Sequence, residues 1–65
     1  MINNLYLETD VRGLEHEIIH FIKELLNSYN LTIHDVIREV STYFAIAVTK
    51  TLIDFVKEQY NKYKN

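Results

Sequence analysis

The residues whose types and spacing could do chemistry lie in one short stretch, His16-Glu17-Ile18-Ile19-His20. In a helix, the two histidines of this H-E-x-x-H pattern lie one turn apart and can bind a zinc ion. The glutamate between them can then activate a zinc-bound water. A zinc centre also needs a third protein ligand, for which His34 and Glu24 are the candidates.

The pattern resembles the signature of the zincin metalloproteases, which implies zinc-dependent hydrolysis of peptides. The helical projection, however, places His16 and His20 on the polar face of the helix. A chain of 65 residues is also too short to build a substrate cleft around that helix. No nucleophile elbow or glycine-rich phosphate loop is present. We therefore predict a non-enzymatic protein without a cofactor, in which both histidines are solvated and bind metal at most adventitiously.

Apolar residues recur at helical spacing and predict a mainly α protein. The first predicted helix covers residues 14–28, with Thr9 or Asp10 as its N-cap. Its apolar face consists of Leu14, Ile18, Phe21, Ile22, Leu25 and Tyr29. Thr32 is the predicted N-cap of the second helix, with Asp35 three residues later. The apolar stripe of that helix consists of Ile33, Val36, Ile37, Val40, Tyr43, Phe44, Ala47 and Val48. Tyr29 and Tyr43 are therefore predicted to lie in the core or in an interface.

A second apolar face follows, roughly 150° around the helix from the first stripe. It consists of Leu52, Ile53, Val56, Tyr60 and Tyr63. One explanation is a break near residues 49–51, with Thr51 capping a third helix. The other is a continuous helix over residues 32–60 whose second face packs on another subunit. We favour the continuous helix slightly, because no glycine or proline forces it to stop, and so predict that this second face is an interface.

Residues 1–10 are predicted to form a short strand or an ordered arm. In this segment Leu5 and Leu7 point to one side, whereas Asn4, Tyr6 and Glu8 point to the other. A lone strand cannot satisfy its own backbone hydrogen bonds, so a strand here would pair with its copy in a second chain.

The segment Leu31-Thr32-Ile33-His34-Asp35-Val36-Ile37-Arg38-Glu39 resembles the start of the second helix in ribbon-helix-helix repressors. The order of strand, helix, turn and helix is also similar to that family. The resemblance implies a dimer whose paired strands enter the DNA major groove, while the second helix binds phosphate through its N-terminus. It implies DNA contacts by Asn4, Tyr6 and Glu8 from the strand, and by Thr32, Ile33 and His34 from the helix.

Length and composition predict a single small domain over residues 1–65. Such a short chain buries a small core and usually needs a further source of stability. Because the chain contains no cysteine, we expect a homo-oligomer, most simply a dimer. We see no signal peptide, and the longest apolar run, residues 43–48, is too short to span a bilayer. A soluble, cytoplasmic protein without membrane contact is therefore expected.

Two functions are consistent with these features. The first is a small ribbon-helix-helix-like DNA-binding transcriptional regulator, which the resemblance favours. The alternative is an acidic protein-binding module, such as an inhibitor, antagonist or adaptor from a phage or another mobile element. The net charge of −2 favours this alternative, and so does the second apolar face from Leu52 to Tyr63, which could dock a helix of a partner protein in a groove.

Overall fold

A computed structural model describes residues 11–64, which form three helices after a short 3-10 turn, Val11–Leu14. The helices are α1 (Glu15–Ser28), α2 (Ile33–Phe44) and α3 (Lys50–Tyr63). The predicted mainly helical class is confirmed. The predicted strand or arm over residues 1–10, and the N-cap at Thr9 or Asp10, lie outside the described residues. None of the described helices combines the length and the apolarity that a membrane span requires.

Helix α1 begins without a side-chain cap, since Leu14 occupies the N-cap position and makes no capping hydrogen bond. Two acidic residues in the first turn, Glu15 and Glu17, instead place negative charge near the positive end of the helix dipole. Ile18 and Ile22 face inward and are completely buried. The chain becomes extended at Tyr29, which ends the helix where the polar sequence Asn27-Ser28 predicts a turn.

Helix α2 begins as the sequence predicts. The Thr32 hydroxyl oxygen accepts a hydrogen bond from the Asp35 backbone amide at 3.2 Å, which satisfies one of the free amides at the helix start. Val36 and Val40, in the centre of the predicted stripe, are completely buried.

The continuous helix favoured over residues 32–60 is not formed, because the chain leaves the helix after Phe44. Ala45 adopts the left-handed conformation, with φ 57° and ψ 47°. The Ser41 carbonyl accepts a hydrogen bond from the Ile46 amide at 3.1 Å, and the Ser41 hydroxyl donates to the Ile46 carbonyl at 2.6 Å. A bond from an amide to the carbonyl five residues earlier is typical of helix ends that need a left-handed residue. This turn also buries Ile46, which is 3% exposed.

The third helix is capped by Thr49 rather than by Thr51. The Thr49 hydroxyl oxygen accepts a hydrogen bond from the Leu52 amide at 3.2 Å, while Thr51 is an exposed residue within the first turn. The alternative of a break therefore matches the structure, although the non-helical segment, residues 45–49, starts earlier than predicted.

Helices α1, α2 and α3 pack around one core to which each contributes. The buried apolar residues are Val11, Ile18, Ile22, Val36, Val40, Ile46, Leu52 and Val56. The helices run up, down and up, so the C-terminal ends of α1 and α3 lie beside the N-terminal end of α2. At that end of the molecule the Tyr60 hydroxyl donates to the Leu31 carbonyl at 3.0 Å, which joins α3 to the α1–α2 connection.

Candidate functional site

An apolar depression of about 440 Å³ lies between α1 and α2. We call this depression the aromatic groove. Its lining residues are Phe21, Leu25, Tyr29, Leu31, Glu39 and Tyr43. Phe21, Leu25 and Tyr29 follow one another at four-residue spacing along α1 and its end, so they form one wall of the groove. The Tyr29 and Tyr43 side chains are 62% and 69% exposed, which leaves large aromatic surfaces open to solvent.

Three aromatic rings pack together at one end of the groove. Phe21 stacks on Tyr43 with 4.6 Å between ring centroids, and meets Phe44 edge to face at 5.4 Å. Tyr43 and Phe44 are also edge to face, at 5.0 Å. Offset stacking and edge-to-face contacts at these distances are favourable beyond the apolar area that they bury. Tyr43 is therefore largely exposed and packs one side of its ring against Phe21 and Phe44.

One acidic residue, Glu39, lines this groove, and helical spacing places further exposed acidic residues near it. On α1, Glu17 and Glu24 lie one turn before and one turn after Phe21, and both are exposed. On α2, Glu39 lies one turn before Tyr43 and lines the groove itself, while exposed Asp35 lies one turn further back.

The basic residues of these two helices project elsewhere. At 100° per residue, Lys23 points roughly 160° away from Phe21, and Arg38 roughly 140° away from Tyr43. The groove thus combines an aromatic floor with an acidic rim.

A second, more polar depression of about 710 Å³ adjoins the groove at the C-terminal ends of α1 and α3. Its lining residues are Lys23, Glu24, Leu26, Asn27, Ser28, Tyr29, Asn30, Tyr63 and Lys64. The Lys23 ammonium lies 5.1 Å from the centre of the Tyr63 ring. Lys64 lies 5.5 Å from the centre of the Tyr60 ring and donates to the Asn30 side-chain oxygen at 3.2 Å. We call this depression the lysine pocket.

The structure brings no metal centre together around the H-E-x-x-H motif. His16 and His20 are both exposed on α1, as predicted, and so is the proposed third ligand His34 on α2. Within residues 11–64 no group of three or more histidine, aspartate or glutamate side chains is arranged to hold a metal ion.

The predicted DNA-contact residues fall into two groups. Asn4, Tyr6 and Glu8 lie outside the described residues. At the start of α2, the Thr32 side chain is engaged in capping, Ile33 is half-buried and His34 is exposed. The free amides of this helix end therefore sit beside the Asp35 carboxylate, which belongs to the first turn.

The predicted interface residues lie mostly within the chain's own packing. Leu52 and Val56 are completely buried, because the break at Ala45 turns α3 back onto α1 and α2. Ile53 is half-buried, and Tyr60 is held by its hydrogen bond to Leu31. Tyr63 is half-buried, with Lys23 and Lys62 near its ring. Leu52 and Val56 thus complete the core of this chain, whereas Ile53, Tyr60 and Tyr63 stay partly exposed, and their role in an interface stays a prediction.

Sequence periodicity assigned Tyr29 and Tyr43 to the core or an interface, and did not identify the groove that they line. Both lie at an edge of an otherwise apolar stripe, and tyrosine often occupies such edges because its hydroxyl stays hydrated while its ring packs. Acidic residues one turn away do not distinguish this edge from a core position, because completely buried Ile18 and Val36 also have them, at Glu15 and Glu39.

Comparisons with known protein families, with curated proteins and with solved structures find no match to this chain. The resemblance to ribbon-helix-helix repressors therefore stays a prediction from the sequence.

Proposed function

We propose that this chain is a non-enzymatic protein-binding module, acting as an adaptor, inhibitor or antagonist. Its aromatic groove binds an amphipathic helical segment of another protein, in which basic residues flank a row of apolar side chains. The observation that carries this proposal is the exposed Tyr43 ring, stacked on Phe21, in an apolar groove that Glu39 also lines.

The dimensions of the groove suit a short helix. The wall from Phe21 to Tyr29 extends over eight residue-to-residue steps along α1 and its end, or roughly 12 Å at 1.5 Å per step. A partner helix of about two turns covers this length and presents apolar residues at spacings of three, four and seven.

The side chains of the groove are suited to binding. Tyrosine offers a large contact area and has few rotatable bonds to immobilise, so it loses little conformational entropy when a partner binds. Stacking on Phe21 restricts the rotamers open to Tyr43, and a side chain restricted before binding loses less entropy when a partner binds. The Glu39 carboxylate in the groove, with the exposed Glu17 carboxylate one turn before Phe21, attracts basic segments and disfavours acidic ones, which supplies selectivity and faster association.

Binding of duplex DNA is less well supported by the described residues. The start of α2, which would contact phosphate, carries the Asp35 carboxylate in its first turn, and carboxylates repel phosphates. The groove rim is acidic as well. A transcriptional regulator therefore remains the second hypothesis, which depends on the undescribed residues Asn4, Tyr6 and Glu8.

The test is a selection from a random library of displayed peptides against the immobilised full chain. Enriched peptides are expected to have apolar residues at helical spacing flanked by lysine or arginine. Enriched peptides with acidic flanks, or no enrichment above the background, would overturn the proposal.

Matched variants show whether the selected peptides use the groove. Tyr43→Ala should weaken peptide binding about tenfold or more, the loss typical of a central aromatic anchor, whereas Thr42→Ala on the exposed side of α2 should not change it. Glu39→Lys should weaken binding more than Glu58→Lys, although both change the net charge equally. Equal effects of the two charge reversals would show that attraction is nonspecific.

Two further measurements test whether the chain binds duplex DNA or a second copy of itself instead. Fluorescence anisotropy with mixed duplex DNA, at low and then rising salt, reports phosphate contacts. Steeply salt-dependent DNA binding would favour the regulator. Light scattering across protein concentrations reports self-association, and a dimer that Tyr43→Ala dissociates would identify a second copy of the chain as the occupant of the groove.

A further inference from the structure

One face of the Tyr43 ring is open. Phe21 stacks against the other face with 4.6 Å between centroids, and Phe44 meets Tyr43 edge to face at 5.0 Å. The centroids of Phe21 and Phe44 are only 5.4 Å apart, which is too short for these two rings to lie on opposite faces of Tyr43. The face opposite Phe21 therefore accounts for much of the exposure of this side chain, which is 69%.

The Glu39 carboxylate is the neighbour of this ring along α2. Glu39 precedes Tyr43 by one turn, and both side chains line the aromatic groove. A helical side chain leans towards the N-terminus of its helix, which brings the Tyr43 ring over the turn that contains Glu39. Among residues 11–64, Glu39 makes no hydrogen bond and no ion pair. An open aromatic ring and an unpaired carboxylate therefore lie next to each other in the groove.

The surroundings of Glu39 favour a cation from another molecule. Exposed Asp35 lies one turn before Glu39, and like charges at this spacing destabilise a helix. A cation that pairs with Glu39 relieves this repulsion. The nearest basic residue in the sequence, Arg38, projects roughly 140° away from Tyr43 around the helix, so it does not occupy this position.

A ring and a carboxylate in this arrangement suit a guanidinium better than an ammonium group. The guanidinium of arginine is planar, so its face can stack on an aromatic ring while its edge donates two parallel hydrogen bonds to a carboxylate. The ammonium group of lysine is a compact and strongly hydrated charge without a flat face. Lysine is attracted to both groups, but it cannot stack on the ring.

We propose that the partner segment places an arginine in the groove, with its guanidinium stacked on the open face of Tyr43 and paired with Glu39. Tyr43 recognises the planar shape of the guanidinium, and Glu39 recognises its charge. Other basic residues of the segment contribute only general attraction. This inference rests on the proposed function, and it narrows the ligand from a basic helical segment to one with arginine at a fixed position.

The experiment measures how tightly three synthetic forms of one peptide bind the full chain. The peptide is an enriched sequence from the library selection. Its three forms carry arginine, lysine or citrulline at the basic position whose replacement by alanine weakens binding most. Citrulline keeps the planar shape of arginine but has no charge. We expect the lysine and citrulline forms to bind about fivefold more weakly than the arginine form at low salt, the size typical of an exposed contact between a cation and an aromatic ring.

Substitutions of the tyrosines test the recognition of planar shape. Tyr43→Leu should bind the arginine and lysine forms equally, because leucine has no aromatic face, whereas Tyr43→Phe should keep the preference for arginine. Tyr29→Leu is the matched control, since it removes a ring of similar exposure from the same groove. It should leave the ratio of the two affinities unchanged, even where it weakens both. A preference for arginine that survives Tyr43→Leu, or that Tyr29→Leu removes, overturns the inference.

Substitutions of the glutamates test the recognition of charge. Glu39→Gln should bind the arginine and citrulline forms equally, whereas Glu58→Gln, which removes the same charge from an exposed position of α3, should keep the difference between them. Circular dichroism checks that each variant is folded. Equal binding of the arginine and lysine forms to the wild type would overturn only the arginine site. A selection that enriches no peptide would count against the proposed function as well.

Discussion

Replacing Gln59 by methionine should make the protein more stable. Gln59 is a polar residue in the core face of α3 and is only 5% exposed. Its side-chain oxygen is buried and has no hydrogen-bond partner among the described residues. A buried acceptor without a partner costs about 1–3 kcal/mol. Methionine has a similar length and shape and no strong acceptor, so Gln59→Met removes this cost while it keeps the packing.

The expected gain is therefore about 1–2 kcal/mol, against a total stability of about 3–5 kcal/mol for a domain of this size. With a urea m-value of about 1 kcal/mol per molar, the midpoint of unfolding should rise by about 1–2 M. The melting temperature should rise by about 5–15 °C. Both transitions are measured by circular dichroism at 222 nm, with the wild type and the variant at the same protein concentration.

The neighbouring substitution Glu58→Met is the control, because it introduces the same side chain at an exposed position of the same helix. Its effect should stay within about 0.5 kcal/mol. Gln59→Met with unchanged or reduced stability would contradict the reasoning. That outcome would mean that the Gln59 oxygen has a partner in the folded protein, or that the side chain does not lie in the core.

Three other substitutions test the arrangement of α2 and α3. Val56→Asp should unfold the chain, because it places a charge at a completely buried position. If circular dichroism instead shows a folded variant, and light scattering shows that its molecular mass is reduced, Val56 lies in an interface between subunits. Thr49→Ala should lower the free energy of unfolding by about 1 kcal/mol through loss of the N-cap, whereas Thr51→Ala should change it by less than about 0.5 kcal/mol; urea unfolding that ranks them in the opposite order would place the helix start at Thr51. Ala45→Gly should raise the stability by about 0.5–1 kcal/mol, since glycine adopts the left-handed conformation without strain; a loss of stability would show that the chain does not turn there.

Local signals in the sequence predicted the helix cap and the buried helix faces, which depend on residues close together in the chain. The hydroxyl of Thr32 caps α2, as its position three residues before Asp35 indicates. The spacing of Ile18, Ile22, Val36 and Val40 identified four residues that the structure buries completely. Helix periodicity and capping involve contacts within about one turn, so they can be read without knowledge of the fold.

The break after Phe44 could not be predicted in this way. No glycine or proline marks it, and Ala45 adopts a left-handed conformation that alanine disfavours on its own. The burial of Ile46, together with the packing of Leu52 and Val56 on α1 and α2, provides the compensating stabilisation. These contacts join residues far apart in the sequence, and their free energy overrides the local preference for a continuous helix.

Some features of the candidate site were likewise predicted from the sequence, and others are visible only in the tertiary structure. The sequence by itself determined the helical faces, and with them the acidic residues one turn from Phe21 and Tyr43. Only the tertiary structure decided which apolar face is covered and which stays open. Because α3 folds back, the face containing Leu52 and Val56 fills the core, while Tyr29 and Tyr43 remain at the edge of the α1–α2 contact. The three helices complete the core without these two rings. Tyr29 and Tyr43 therefore stay exposed and line the groove.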